Sequence, residues 1–178
     1  MGNTAKILPH YTYEDYEHWE GQWEIIDGIP YAMSPAPAPK HHLLSAKLIS
    51  EFTQQLKMCT TCEVYQPIDY LVADDTILQP DMLIVCKEIT KRFLDFPPAL
   101  VTEILSPATV AKDRFSKFPI YQSKQISYYL IIDPDLEEVE IYELLDGKYR
   151  LMQRGKGLIH DFSLDSSKAS INFGEIWK

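Results

Sequence analysis

The 178-residue sequence predicts a mixed α/β (α+β) fold, with a central sheet flanked by helices and additional N-terminal and C-terminal β-hairpins. Three observations carry this. Short continuous apolar runs at Met82–Cys86, Ala99–Leu105 and Tyr128–Ile132 suit strands buried on both faces. Leu44, Leu48, Phe52 and Leu56 recur every four residues with Ile49 beside them, the period of an amphipathic helix from about Lys40 to Lys57. Asp27-Gly28 and Asp146-Gly147 each separate two strand-like segments, as a type I′ turn requires. A 20.6 kDa chain with 46% hydrophobic residues is the size of one domain, so residues 1–178 are read as a single unit.

Taken in order, Thr12 with Asp15 three residues on resembles a capping box, and predicts a short helix through about Trp19. Glu24 to Met33 reads as two short strands turned at Asp27-Gly28. Ser34 to Pro39 is a proline-rich connector, unable to extend a strand ladder. After the long helix, Glu63 to Ala73 reads as one strand ended by Asp74-Asp75. Asp81 follows Pro80 at the mouth of the Met82 run. A helix falls within 110–124, where Pro119 leaves two readings: with Ser116 as cap it sits in the first turn, with Asp113 as cap it kinks the helix. Val139 and Ile141 alternate with Glu138 and Glu140, and Tyr149 and Leu151 with Lys148 and Arg150, which makes a hairpin with one wet face.

Seventeen Lys and Arg against 26 Asp and Glu give a net charge of −9, which argues against coating nucleic acid by bulk charge. The charge is uneven. Residues 14–27 hold six acids and residues 133–146 seven, with no Lys or Arg in either, so the remainder sums to +4 and allows a local phosphate-binding face. Three cysteines make no disulfide framework. Cys59-Thr-Thr-Cys62 lacks a second CxxC or CxxH to complete a metal site, and reduced thiols in a cytosolic protein are expected. The N-terminus has no signal pattern, Lys6 breaks the myristoylation motif that Gly2 would begin, and no apolar run reaches membrane-spanning length. A cytoplasmic protein with no membrane partner is the expectation.

Two carboxylates occupy unusual places. Glu103 interrupts a strand that otherwise reads as buried, where a lone carboxylate is costly unless paired or bound to a metal. Asp81 enters a neighbouring apolar strand. If those strands are adjacent, both acids project from one end of the sheet and offer hard oxygen ligands for Mg²⁺ or Mn²⁺. The alternative is that Glu103 only pairs with a lysine and Asp81 only opens a strand. Next come Lys112, Arg114, Lys117 and Lys124, with Asp113 as the single acid among them. Carboxylates for a metal, with a lysine and a basic rim, are the equipment for phosphodiester hydrolysis; a solvated basic helix face is the plainer account. No phosphate loop, HExxH, GxSxG or GxGxxG is present. His41 and His42 are adjacent on a helix and so point in different directions.

Glu24-Ile-Ile-Asp-Gly, Met-Ser-Pro at 33–35, His41 with Leu44 and Leu48, Gln79-Pro80-Asp81, Pro98 through Thr109 around Glu103, Asp113-Arg-Phe-Ser-Lys117 with Tyr121, and Ile131-Ile-Asp-Pro134 fall in sequence order. Together they resemble the Uma2 family of restriction-endonuclease-like proteins, in the PD-(D/E)XK nuclease superfamily, over roughly residues 10–150. The resemblance implies a restriction-endonuclease-like mixed sheet and a divalent-metal endonuclease acting on DNA. Asp81 matches the PD aspartate and Glu103 the acid of the next strand; with the main-chain carbonyl of Ile104 they would hold Mg²⁺ or Mn²⁺. Position 105 is leucine where the superfamily's lysine would sit, and Lys117 on the following helix matches the family's lysine, to orient the attacking water. Glu24 matches the acid of the first hairpin. His41 fits the family's histidine better than His42, and Asp113 belongs to the lysine motif. Lys112, Arg114 and Lys124, with Lys87, Lys91 and Arg92, would meet flanking phosphates, and a homodimer is expected. The chain departs from the family at Gln125-Ile-Ser-Tyr-Tyr-Leu130, where an acid and a tryptophan are missing, and at Pro119. A catalytically inactive nuclease-fold protein, serving as a nucleic-acid-binding or assembly module, is the competing expectation.

Overall fold

The computed structural model describes residues 8–33, 38–165 and 167–178; Gly2, Lys6 and residues 34–37 of the proline-rich connector lie outside them. The chain runs through α1 (Tyr13–Tyr16), β1 (Trp23–Ile26), β2 (Ile29–Ala32), α2 (Pro39–Gln55), β3 (Glu63–Tyr65), β4 (Tyr70–Ala73), β5 (Thr76–Leu78) and β6 (Met82–Val85). It continues through β7 (Leu100–Ile104), a π-helical segment at Lys112–Lys117, α3 (Phe118–Ser123), β8 (Tyr128–Asp133), β9 (Glu138–Leu145), β10 (Lys148–Gly155), β11 (Ile159–Leu164) and β12 (Ser167–Asn172).

The central sheet has the order β10-β9-β8-β7-β6-β3 and is antiparallel except between β7 and β8. A parallel pair needs a crossover, and the segment from 105 to 127, with α3 in it, supplies one. A second sheet, β2-β1-β5-β4, is antiparallel, and β11 and β12 form a two-stranded sheet. Strand pleating sends alternate residues to opposite faces. Along β7, Leu100 and Ile104 join one core cluster with Leu44, Leu48 and Phe52 of α2 and Phe162 of β11. Val101 and Leu105 face the other way, into a cluster with Tyr121 of α3, Tyr129 of β8 and Ile26 of β1. Glu103 has the parity of Val101, so it points into the layer beneath the π-helical segment and the β1–β2 hairpin.

The first hairpin is the expected one, with Asp27 and Gly28 at φ 50° and 76°. α2 also follows its period, burying Leu44, Leu48 and Phe52. At α1 the Thr12 N–H donates to Asp15 Oδ2 at 2.9 Å, but the helix ends at Tyr16, short of Trp19. Pro119 falls in the first turn of α3, with the wider π-helical turn before it instead of a kink. Tyr129 Oη donates to the Asp113 carbonyl in that turn at 3.0 Å.

Two expectations are corrected. Glu63 to Ala73 is not one strand: β3 pairs with β6 in the central sheet, and β4 pairs with β5 in the second. Pro67 lies between them, and a proline cannot donate to a ladder. The cysteines are not all reduced: Cys62 and Cys86 form a disulfide, and Cys59 is free. Glu63 pairs with Val85, and continuing that antiparallel register by one residue sets Cys62 opposite Cys86. Among the described residues, no helix is long and apolar enough to cross a membrane.

Candidate active site

β6 and β7 pair with Met82 opposite Thr102, so the register carried one step further sets Asp81 opposite Glu103. The two acids thus sit at one end of adjacent strands. Asp81 Oδ2 accepts the Ile104 N–H at 2.7 Å and lies 3.2 Å from His41 Nε2. His41 is on the first turn of α2 and faces inward, whereas His42 is exposed. Burial disfavours the imidazolium, but the hydrogen bond and charge of Asp81 outweigh it, with the Ile104 main chain acting in the same direction, and hold the His41 pKa above 6.5.

Lys117 is the hub of the site. It is 1% exposed, and its ammonium lies 2.8 Å from Glu24 Oε1, 2.9 Å from Glu103 Oε1 and 3.3 Å from Asp113 Oδ1. Burial would lower its pKa, yet Glu103, Glu24 and Asp113 together raise it well above the usual lysine value, so it stays charged. Glu24, fully buried on β1, also accepts the Gln79 N–H at 2.8 Å and pairs with Lys112. The two ammonium groups overcome the burial of Glu24 and hold its pKa below 4.5. Gln79 is fixed in turn by its side-chain amide, which donates to Asp69 Oδ1 at 2.6 Å.

Glu103 has the opposite bias. Its Oε1 accepts Lys117 and, at 2.6 Å, the Tyr121 hydroxyl. Burial nevertheless pushes its pKa well up; Lys117 counters this, while Asp113, Asp81 and Glu24 add to the rise. Asp113 is also raised by burial, which Lys117 only partly offsets. Four carboxylates, the buried Glu24, Glu103 and Asp113 and the half-buried Asp81, therefore share one cluster with two lysines and one histidine. Burial and the neighbouring acids raise the pKa of Glu103 and Asp113, and Lys117 opposes that rise. A set of oxygen donors with unspent negative charge suits a hard divalent cation. Among the described residues, no three His, Cys, Asp or Glu side chains are already gathered into a metal-binding group; the carboxylates are instead drawn onto Lys117, Lys112, Tyr121 and His41.

Asp81, Glu103 and Asp113 open onto a cleft of about 750 Å³ that Tyr31, Met33, His41, Lys112 and Phe115 also line. Lys112 lies 3.6 Å from Met33 Sδ and 5.5 Å from the centre of the Tyr31 ring. The anticipated basic rim is differently employed. Lys112 and Lys117 turn inward, and Arg114 is bidentate to Glu140 of β9 at 3.1 and 2.9 Å. Lys91 pairs with Asp95, and Lys87 lies over the Phe96 ring. Lys124 is half-buried and Arg92 exposed. Tyr121 entered the sequence reading only as part of the motif around Lys117, with no role given to it, and Tyr129 was not singled out, since a tyrosine in an apolar run reads as core.

A family model described as "Uma2: Putative restriction endonuclease" matches residues 12–164. An uncharacterised protein of Synechocystis sp. is 29% identical over 148 residues, which cover 78% of this chain and 77% of that protein. The crystal structure of "a putative nuclease belonging to DUF820" from Anabaena variabilis superposes with a TM-score of 0.74 at 15% identity, covering 94% of this chain and 97% of that one. At that identity the likeness shows a shared fold.

Proposed function

Because the chain belongs to the Uma2 family of restriction-endonuclease-like proteins, we propose that it hydrolyses DNA phosphodiester bonds with Mg²⁺ or Mn²⁺, acting as a homodimer. The observation that carries the reading is the buried excess of carboxylate over ammonium at one end of β6 and β7. Asp81, Glu103 and the Ile104 carbonyl are the groups that would hold the cation. When bound, it would acidify a water and neutralise charge on the scissile phosphate. Asp81 is already oriented by the Ile104 N–H and His41, and Glu103 by Tyr121. Glu24 holds Lys112 and Lys117 in the site, so that Lys117 stands beside the acids as a charged donor, able to position a water and offset negative charge on the reacting phosphate. Lys112, at the cleft wall, is the cation best situated to meet a flanking phosphate.

The test is nicking of supercoiled plasmid by the purified chain in millimolar Mn²⁺. Wild type should cleave; Glu103→Gln, which keeps volume and removes a ligand charge, should not, while still folding. A second reading is favoured by one observation: every acid of the cluster already has a protein partner, as in a nuclease fold kept for binding or assembly. Cleavage absent from wild type, with no Mn²⁺-dependent rise in Tm, would favour that second reading.

A further inference from the structure

The CxxC spacing at 59–62 plays no part in the site above. Cys62, immediately before the edge strand β3, is bonded to Cys86, immediately after β6. Cys59, in the turn after α2, is a partly exposed free thiol. The Cys62 N–H donates to Cys59 Sγ at 3.0 Å. Thr61 Oγ1 lies 3.6 Å from Cys59 Sγ and 3.9 Å from Cys62 Sγ, so the free sulfur and one sulfur of the disulfide are neighbours of the same hydroxyl.

We propose that Cys59, Cys62 and Cys86 form a thiol–disulfide exchange site in which Cys59 attacks the Cys62–Cys86 bond. The Cys59 thiolate forms a bond to Cys62 Sγ as the Cys62–Cys86 bond breaks. The electron pair leaves on Cys86 Sγ, which takes up a proton in place of the one Cys59 gave to solvent. One thiol and one disulfide are present before and after, so no oxidant or reductant is consumed. The attacking group is suited to the step. A hydrogen bond from Ser167 is the main cause that brings the Cys59 pKa down to about 7; its slight burial opposes this, and Thr61 and the Cys62 N–H assist, so a large share is thiolate at neutral pH. The exchange moves the covalent tie from the β3–β6 strand pair to the α2–β3 turn. Among the described residues β3 is the edge strand beside β6, so that edge then loses its covalent tie and keeps its hydrogen bonds to β6 and the packing of Val64 on the core.

The experiment is disulfide mapping of the full chain. The protein is incubated at neutral pH without external thiol, quenched in acid, labelled with N-ethylmaleimide and digested for mass spectrometry. Wild type should yield both linked pairs: Cys62–Cys86 with Cys59 labelled, and Cys59–Cys62 with Cys86 labelled. Cys59→Ser should retain the first pair and lose Cys86 labelling. Cys86→Ser, after oxidation by diamide, should give the Cys59–Cys62 pair. A wild type without a Cys59–Cys62 peptide, three labelled cysteines, or Cys86 labelling undiminished in Cys59→Ser would each overturn the proposal. The wild-type and Cys59→Ser maps decide it even if Cys86→Ser does not fold.

Discussion

A lysine with almost no exposure is unfavourable unless its charge is matched, because burial penalises the ammonium. Lys117 is overmatched, with three carboxylates within 3.3 Å. Lys117→Met should therefore do more than remove a candidate catalytic donor. It leaves Glu103 and Asp113 uncompensated, and should destabilise the chain by about 3–5 kcal/mol at neutral pH, read from urea unfolding. Mn²⁺ should restore more of the melting temperature in this variant than it adds to wild type, since a divalent cation replaces the lost charge. A loss below about 1 kcal/mol would instead mean that the carboxyls simply take up protons. Tyr121→Phe is the milder probe. It removes one hydrogen bond to Glu103 and should cost about 1–3 kcal/mol; equal stability in urea would show that the hydroxyl is dispensable. In the sequence the meeting of Asp81 and Glu103 was conditional on their strands being adjacent, and Lys117 was marked out by the resemblance to the family's lysine motif; an acid in an apolar strand shows locally, but what it faces does not. The bidentate Arg114–Glu140 pair was not legible, since its partners lie on elements whose packing no local pattern specifies.

At the scale of elements, local rules held where the signal was local. The Asp-Gly turns, the four-residue apolar period of α2 and the continuous runs of β6, β7 and β8 are each set by neighbours along the chain. The split of 63–73 between two sheets depends on which distant strand each half meets, and the periodicity of the two halves is alike. The β11–β12 hairpin carries its register in Phe162, Leu164, Ala169 and Ile171, which are buried among mixed polar residues and follow no Asp-Gly turn. The first hairpin offers an element-scale test because it carries Glu24. Gly28 has φ 76°, and an added Cβ would stand 2.1 Å from His10 Nδ1. The His10 side chain can move, but the left-handed backbone remains strained in any L-residue, so Gly28→Ala should cost about 1–2 kcal/mol. The loss should persist in a His10→Ala background. If His10→Ala abolishes it, the cause is the clash and not the backbone.

For the whole molecule, the balance of acids and lysines predicts how stability varies with pH. Glu103 and Asp113 stand above their ordinary values of 4.5 and 3.8, chiefly through burial. A carboxyl with a raised folded pKa favours the fold while protonated. Its contribution is complete below the ordinary value and is lost as pH climbs through the folded one. Glu24, held below 4.5 by Lys117 and Lys112 against its burial, behaves oppositely: its contribution is present above 4.5 and lost as pH falls through the lowered value. His41, raised above 6.5 by Asp81 in spite of its burial, adds a second loss on the alkaline side. The metal-free chain should therefore lose melting temperature in both directions from a mildly acidic optimum. Glu103→Gln should remove the Glu103 share of the alkaline loss and leave the Asp113 and histidine shares. A divalent cation binds the deprotonated acids and displaces their protons, so the rise in melting temperature with Mn²⁺ should grow with pH above 4.5 and level off once Glu103 and Asp113 are ionised. The check is a pH series of thermal melts with and without Mn²⁺, on wild type and Asp81→Ala. An increment that is flat across pH, or equal in the two proteins, would mean that the cation acts elsewhere on the acidic surface and not at the strand-end carboxylates.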